Sequence, residues 1–292
     1  MATESRKPLP DRTFGERLNF LLTNRIPRHG LTRFMGWFSR IENPAIRWLS
    51  IAAWKWFVDD LRLFEAEKER FRSLHDCFTR TLKAGARAID SDPCVLCSPC
   101  DAVVGEFGDL HGLTAIQAKG FPYILTDLLG DDERAARYHD GRFVTLRLKS
   151  SMYHHFHAPI DCNVDEVTYV SGDTWNVNPI ALKTVERLFC KNERAIIDLR
   201  TDDPACDVTL VPVAAILVAS MRIRGLNEPL HLEYRGPNRL PCQLSLNKGD
   251  PMGYFEHGST ILLFTSGRYG FSENVVRGST IRMGETLMRR LP

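Results

Sequence analysis

The chain has 292 residues, 43% of them hydrophobic and 25% charged, and a formal net charge of +2 at pH 7. That length can bury a full core, and it suits one large domain with an appended segment better than two equal domains. Such a charge balance leaves no electrostatic footprint for nucleic acid, and no stretch reaches the ~18 uninterrupted apolar residues of a spanning helix.

Residues 1–10 are polar and read as a tail. Helical periodicity then predicts three helices, over about Thr13–Asn24, Leu31–Ile41 and Ala45–Ala66. Before residue 58, basic residues outnumber acidic ones roughly two to one. Trp48, Trp54, Trp56 and Phe57 fall in the third helix. Aromatic rings with flanking Arg and Lys suit a lipid headgroup boundary, so an anionic membrane surface is the expected partner. The competing reading is that these amphipathic faces cover a sheet in an ordinary core.

From about residue 92 the pattern changes to short apolar runs bounded by turn residues, including Phe143–Leu148, Val167–Val170, Val208–Met221 and Thr260–Phe264. Helical interludes are expected near Tyr123–Leu129 and Pro179–Leu188. The fold class is therefore α+β: a β-rich, sandwich- or barrel-like catalytic core with an N-terminal amphipathic helical segment. The boundary is set at residues 1–75 for the docking segment and 76–292 for the catalytic domain.

The polar N-terminus lacks the apolar core of a secretory signal, so the eight cysteines are expected as free thiols in a reducing compartment. Cys94, Cys97 and Cys100 are spaced like metal ligands but lack a fourth partner, and no metal is expected.

Three stretches could carry chemistry. Pro99-Cys100-Asp101 stands at the mouth of an apolar strand, where an aspartate can orient a histidine. Tyr153-His154-His155-Phe156-His157-Ala158-Pro159 holds three of the nine histidines. On a strand His155 and His157 share a face, whereas a tight turn could bring His154 and His157 together. Imidazoles titrate near neutrality, so one can act as a base and another as a proton donor. The competing use is a metal site, which histidines alone rarely complete.

Finally, Gly258-Ser259-Thr260 precedes an apolar run. Glycine leaves its carbonyl open, and a deprotonated Ser259 hydroxyl could attack it in an N-to-O acyl shift. β-Elimination of the ester and hydrolysis of the resulting dehydroalanine would leave a pyruvoyl group. On the tripeptide alone, a Gly-Ser turn feeding a strand explains as much.

Taken together, these motifs resemble the phosphatidylserine decarboxylase family. The likeness rests on Lys248-Gly249, Gly253, Phe255 and Gly258-Ser259-Thr260, on Tyr153, His154, His157 and Pro159, and on Pro99 with Asp101. It extends to Gln117-Ala118-Lys119-Gly120, Gly172-Asp173 and Asn192-Glu193-Arg194.

The resemblance implies self-cleavage between Gly258 and Ser259, with Asp101, His157 and Ser259 as the processing triad and His157 as its base. Ser259 would become a covalent pyruvoyl cofactor at the start of a short C-terminal chain. His154 would reprotonate the product. The substrate would be phosphatidylserine and the products phosphatidylethanolamine and CO2. The resemblance further implies a peripheral protein on the cytoplasmic face of a bacterial membrane, its cleaved C-terminal chain retained, commonly as a homodimer.

Ala102, Ala214, Ala219, His155, Phe156, Ala158 and His257 depart from the family's usual residues without removing a reactive group. Three alternatives remain at this stage. They are a pyruvoyl decarboxylase of another amino-acid-bearing lipid or soluble amino acid, a Ser-His-Asp hydrolase that keeps Ser259 intact, and a membrane-binding relative that does not process.

Overall fold

A computed structural model describes residues 27–291 except 59, 119–120, 204–205, 217–219 and 257–258. The helix expected over Thr13–Asn24, and the motif residues Lys119, Gly120, Ala219, His257 and Gly258, lie outside the described residues.

Helix α1 spans Arg28–Phe38 and helix α2 spans Pro44–Phe57. Asn43 caps α2, its side chain accepting from Ala45 N at 3.0 Å and Ile46 N at 3.3 Å, with Pro44 in the first turn where its missing N–H costs nothing. The expected continuation to Ala66 does not form. Val58 is extended, Asp60 Oδ1 accepts from Arg62 N at 2.8 Å, and Arg62 sits in the left-handed region at φ 47. A local side-chain bond has replaced helical hydrogen bonding there.

One side of α2 rests through Ile51 and Trp54 on a small cluster of Ala66, Phe71 and Cys77. The other side is open: Trp48 is 70% exposed, Trp56 83% and Phe57 78%, and on α1 Trp37 is 64% exposed. Covering the core therefore does not explain these rings.

The centre of the protein is an eight-stranded sheet in which every neighbouring pair is antiparallel. Its spatial order is Arg239–Leu246, Cys162–Val170, Arg194–Leu199, Val208–Ala214, Ser259–Thr265, Arg142–Leu148, Ala102–Asp109 and Thr280–Ile281. A second sheet contains Leu230–His231, Ser220–Ile223, Pro251–Phe255 and His155–His157 in that order.

Alternation of side chains sorts the sheet's two faces. Leu146, Ile261 and Leu263 pack with Phe156, Met221 and Phe255 of the second sheet, as in a sandwich. Leu262 and Phe264 point the other way, into a core completed by Leu125, Leu128, Leu182 and Phe189 from short helices. Because both faces are covered, every residue of Ser259–Thr265 is buried, which is why that run reads as continuously apolar rather than alternating.

The helical interludes resolve into Leu125–Leu129, Pro179–Leu182 and Leu188–Lys191. The run Val208–Met221, read as one apolar stretch, ends its first strand at Ala214 and re-enters as Ser220–Ile223 in the other sheet. Apolar content does not mark that crossing, since Val208–Ala214 is buried throughout and Met221 and Ile223 are buried in the second strand.

Candidate active site

Strand Pro251–Phe255 carries the chain toward Ser259. It leaves a turn in which Asp250 N–H donates to Asn247 O at 2.9 Å and Gly249 adopts φ 90. A side chain at Gly249 would be strained there, and its Cβ would meet Ile89 at 2.2 Å. The Lys248 ammonium donates to the carbonyls of Asp90 and Asp92, tying the turn to the segment before the first strand. Gly253 is needed for space: a Cβ would come within 2.3 Å of Arg222 O and 2.5 Å of Phe156 Cζ.

Ser259 is the first residue of the central strand, paired with Leu148 on one side and Ala214 on the other. It is wholly buried, and its Oγ has no hydrogen-bond partner among the described residues. An unsatisfied buried hydroxyl costs about 1–3 kcal/mol, so its presence calls for a reason other than stability.

The histidines lie on the strand beside the approach to Ser259. Pro251 faces His157, Tyr254 faces His155, and Phe255 N–H donates to His154 O at 3.0 Å. His154 is buried, with Nδ1 2.8 Å from Met152 O and its ring 4.1 Å from that of Phe78. His155 is stacked between Tyr153 at 4.8 Å and Tyr254 at 4.9 Å, with Nε2 3.0 Å from Thr79 O. Burial pushes its pKa down to about 4, which keeps it neutral and structural.

In His157 the Nδ1–H donates to Gly249 O at 2.8 Å. The lone pair is therefore on Nε2, which accepts from the Tyr153 hydroxyl at 3.1 Å. Burial lowers the His157 pKa, and the Gly249 bond and the Asp101 charge oppose that only in part.

Asp101 belongs to a different network. Arg87 grips it bidentately, with Nε–Oδ1 at 2.9 Å, and also reaches Glu65 at 2.9 Å. Met283 N–H donates to Asp101 Oδ1 at 2.9 Å. Burial pulls the Arg87 pKa down, but the hydrogen bonds and charges of Asp101 and Glu65 outweigh it and raise the pKa overall.

The expected chain of hydrogen bonds from Asp101 through His157 to Ser259 is thus not formed among the described residues. Both His157 nitrogens are taken, by Gly249 and Tyr153, and the Asp101 carboxylate is taken by Arg87. Asp101 and Tyr153 do share the wall of one cavity, so the three groups stand close together without a direct Asp–His bond.

Ser259 opens instead onto a cavity of about 720 Å³. Trp54 and Phe57 of α2, with Leu74, Phe78 and Ile216, form its apolar wall, while Arg147, Lys149, Asn176 and Asn178 are on its polar side. Phe78, whose ring lies tilted against that of His154, connects that histidine to this cavity. Ser259 and Arg147 therefore line one cavity, which His154 reaches only through Phe78, while Asp101 is with Arg87 and Tyr153, and Tyr153 with His157.

Arg87, Arg147 and Phe78 are absent from the sequence-level site. Nothing separates Arg87 and Arg147 in the sequence from the other arginines of the chain, because their meaning comes from partners remote in sequence. The cysteine spacing has no counterpart in a cluster: Cys94 is exposed, and Cys97 and Cys100 are buried free thiols.

The family model described as phosphatidylserine decarboxylase matches residues 74–289. A phosphatidylserine decarboxylase proenzyme of Brevibacillus brevis is 32% identical over 94% of this chain and 98% of its own length. The proenzyme of the same description from Saccharophagus degradans is 34% identical, covering 90% of this chain and 93% of the relative. That of Aliivibrio fischeri is also 34% identical, covering 88% and 93%.

Proposed function

Since this chain belongs to the phosphatidylserine decarboxylase family, we propose that it is made as a proenzyme, cuts itself between Gly258 and Ser259, and decarboxylates phosphatidylserine to phosphatidylethanolamine. The observation that carries this reading is the Ser259 hydroxyl, buried without a partner among the described residues, on a residue that lines a large amphiphilic cavity. A pyruvoyl end requires a serine oxygen that is not committed elsewhere, and Ser259 fits that requirement.

Processing transfers the Gly258 acyl group from nitrogen to Ser259 Oγ, and a base then removes the Ser259 α-proton. Gly258 leaves as a carboxylate, and one water converts the remaining dehydroalanine to a pyruvoyl group and ammonia. The pyruvoyl ketone supplies the electron sink for loss of CO2. Everything else falls to side chains. His157 Nε2 is the proposed base for Ser259, its lowered pKa keeping it neutral at pH 7. Asp101 contributes charge, and His154 Nε2 delivers the proton to the carbon that lost CO2.

A second reading has its own support: the His154 ring contacts Phe78, which lines the Ser259 cavity, so His154 could act in both steps. Single variants separate the two. His157→Ala should slow self-cleavage about 10²- to 10⁴-fold, whereas His154→Ala should cleave normally and lose decarboxylation by a similar factor. Intact-mass time courses and CO2 release measure each effect, and reversed phenotypes would exchange the roles. Wild-type cleavage should be flat near pH 7 and decline only in acid, as His157 protonates.

Cutting would not release the C-terminal chain. Residues 259–265 are hydrogen-bonded between two strands, and Thr286–Arg290 pairs with Val95–Cys97. Residues 1–75 are proposed to dock the enzyme on the cytoplasmic face of an anionic membrane, and the processed units to pair as homodimers. No helix among the described residues is long and apolar enough to cross a membrane. Docking is supported by the open face of Trp37, Trp48 and Trp56 beside the cavity-lining Trp54 and Phe57. Replacing Trp37, Trp48 and Trp56 together by Ala should weaken sedimentation with anionic vesicles by about 100-fold or more while leaving self-cleavage intact. Unchanged vesicle binding would remove the docking assignment.

A further inference from the structure

Arg147 is a half-buried cation that the chemistry above leaves unused. It lies on strand Arg142–Leu148, facing Thr260 on one side and Val103 on the other, next to the Leu148–Ser259 pair. Arg147 lines the same cavity as Ser259, from the opposite face of the sheet, and its side chain makes no hydrogen bond or ion pair among the described residues. Other buried arginines behave differently: Arg194 donates to the carbonyls of Leu128, Cys190 and Asp127, and Arg87 holds two carboxylates. Desolvation alone acts on Arg147, lowering its pKa with no anion nearby to oppose it. A half-buried five-donor fork on a cavity-lining residue, without a partner among the described residues, suits an anionic ligand.

We propose that Arg147 binds the phosphodiester of the lipid substrate and thereby selects a phospholipid headgroup over a free amino acid. This rests on the decarboxylase reading given above. Phosphatidylserine offers two anions, and the reaction distinguishes them. A guanidinium on the departing carboxylate would stabilise the ground state and lose its partner as CO2 forms, which would oppose catalysis. The phosphodiester keeps its charge throughout, so holding it costs nothing at the transition state. The surrounding walls agree: Trp54, Phe57 and Phe78 provide apolar surface for the adjoining glycerol and acyl chains, and Ser259 lies within the same cavity.

The test compares wild type, Arg147→Gln and Arg147→Lys with a short-chain phosphatidylserine kept below its micelle concentration. Arg147→Gln should cleave itself normally, raise KM by about 10- to 100-fold and leave kcat nearly unchanged, as expected for loss of a charge-assisted bond felt equally in ground and transition states. Arg147→Lys should fall between, retaining charge but losing the fork. Independently of turnover, titrating the same lipid into uncut Ser259→Ala protein, followed by phosphorus NMR, should show affinity falling by a similar factor when Arg147→Gln is added.

Unchanged KM and unchanged binding overturn the proposal. A change in kcat alone would also overturn it, by assigning Arg147 to the carboxylate. Wild-type protein that neither cuts nor releases CO2 would instead refute the decarboxylase reading, and the titration would still decide whether Arg147 binds a phosphodiester.

Discussion

Ser259→Ala should yield a single uncut chain, with no fragment of residues 259–292 and no measurable decarboxylation. The substitution removes the only atom proposed to attack Gly258, so the loss should be complete rather than graded. It should not damage the fold. Ser259 Oγ has no hydrogen-bond partner among the described residues, while the strand is held by backbone bonds to Leu148 and Ala214 that alanine preserves. Removing an unsatisfied buried hydroxyl is neutral to stabilising, by up to about 1–3 kcal/mol. Ser259→Cys should cut slowly, because a thiol can make the same acyl shift and elimination. Intact-mass measurement after prolonged incubation reads both variants beside the wild type. A fragment from Ser259→Ala would end the self-processing account.

Arg87→Met should be the most destabilising single change near the site. Arg87 is 4% exposed, and it neutralises Asp101 and Glu65, which are 11% and 10% exposed at their side chains. Removing the cation leaves two carboxylates in a poorly solvated pocket, a loss of about 3–5 kcal/mol. For a chain of this size that corresponds to a fall in melting temperature of roughly 10 °C. Measured in the Ser259→Ala background, where the chain stays whole, the deficit should shrink when Asp101→Asn and Glu65→Gln are added, since neutral amides need no cation.

Acid behaviour gives a further check. Burial raises the Glu65 pKa, but hydrogen bonds from Arg62 and Arg87 outweigh it and leave it below the ordinary carboxyl value. Its contribution is therefore complete above the unfolded pKa and vanishes as pH falls through the depressed folded pKa. Arg87→Met should narrow that acid loss. An unchanged melting temperature would mean that the Arg87 network does not hold residue 65 to the core.

The contrast between these two variants explains what could be read without coordinates. Whereas Gly253 owes its place to the close approach of Arg222 O from a neighbouring strand, Gly249 and Ser259 carry their reasons locally, a left-handed turn and a serine entering an apolar strand. The histidines were visible for the same reason, being packed into one short segment. Arg87, Arg147 and Phe78 carry no local mark, and their importance appears only when strands remote in sequence become neighbours. The helix expected through Ala66 illustrates the limit from the other side. Its apolar spacing continues, yet the Asp60 bond to Arg62 N and the left-handed Arg62 end it.

By itself, the order of residues determined which groups are at hand for the proposed chemistry, because Gly258-Ser259, the histidine cluster and Asp101 are covalent facts that folding cannot alter. It also determined the change from helical to strand periodicity, which depends on side-chain spacing along a few residues. Only the tertiary structure decided which partner each polar group takes. Asp101 went to Arg87 rather than His157, and His157 donated to Gly249, because several donors compete for each acceptor and distance in space selects among them. The cavity that joins Ser259 to Arg147 and the aromatic helix was decided the same way, since its walls come from segments that no local interaction brings together.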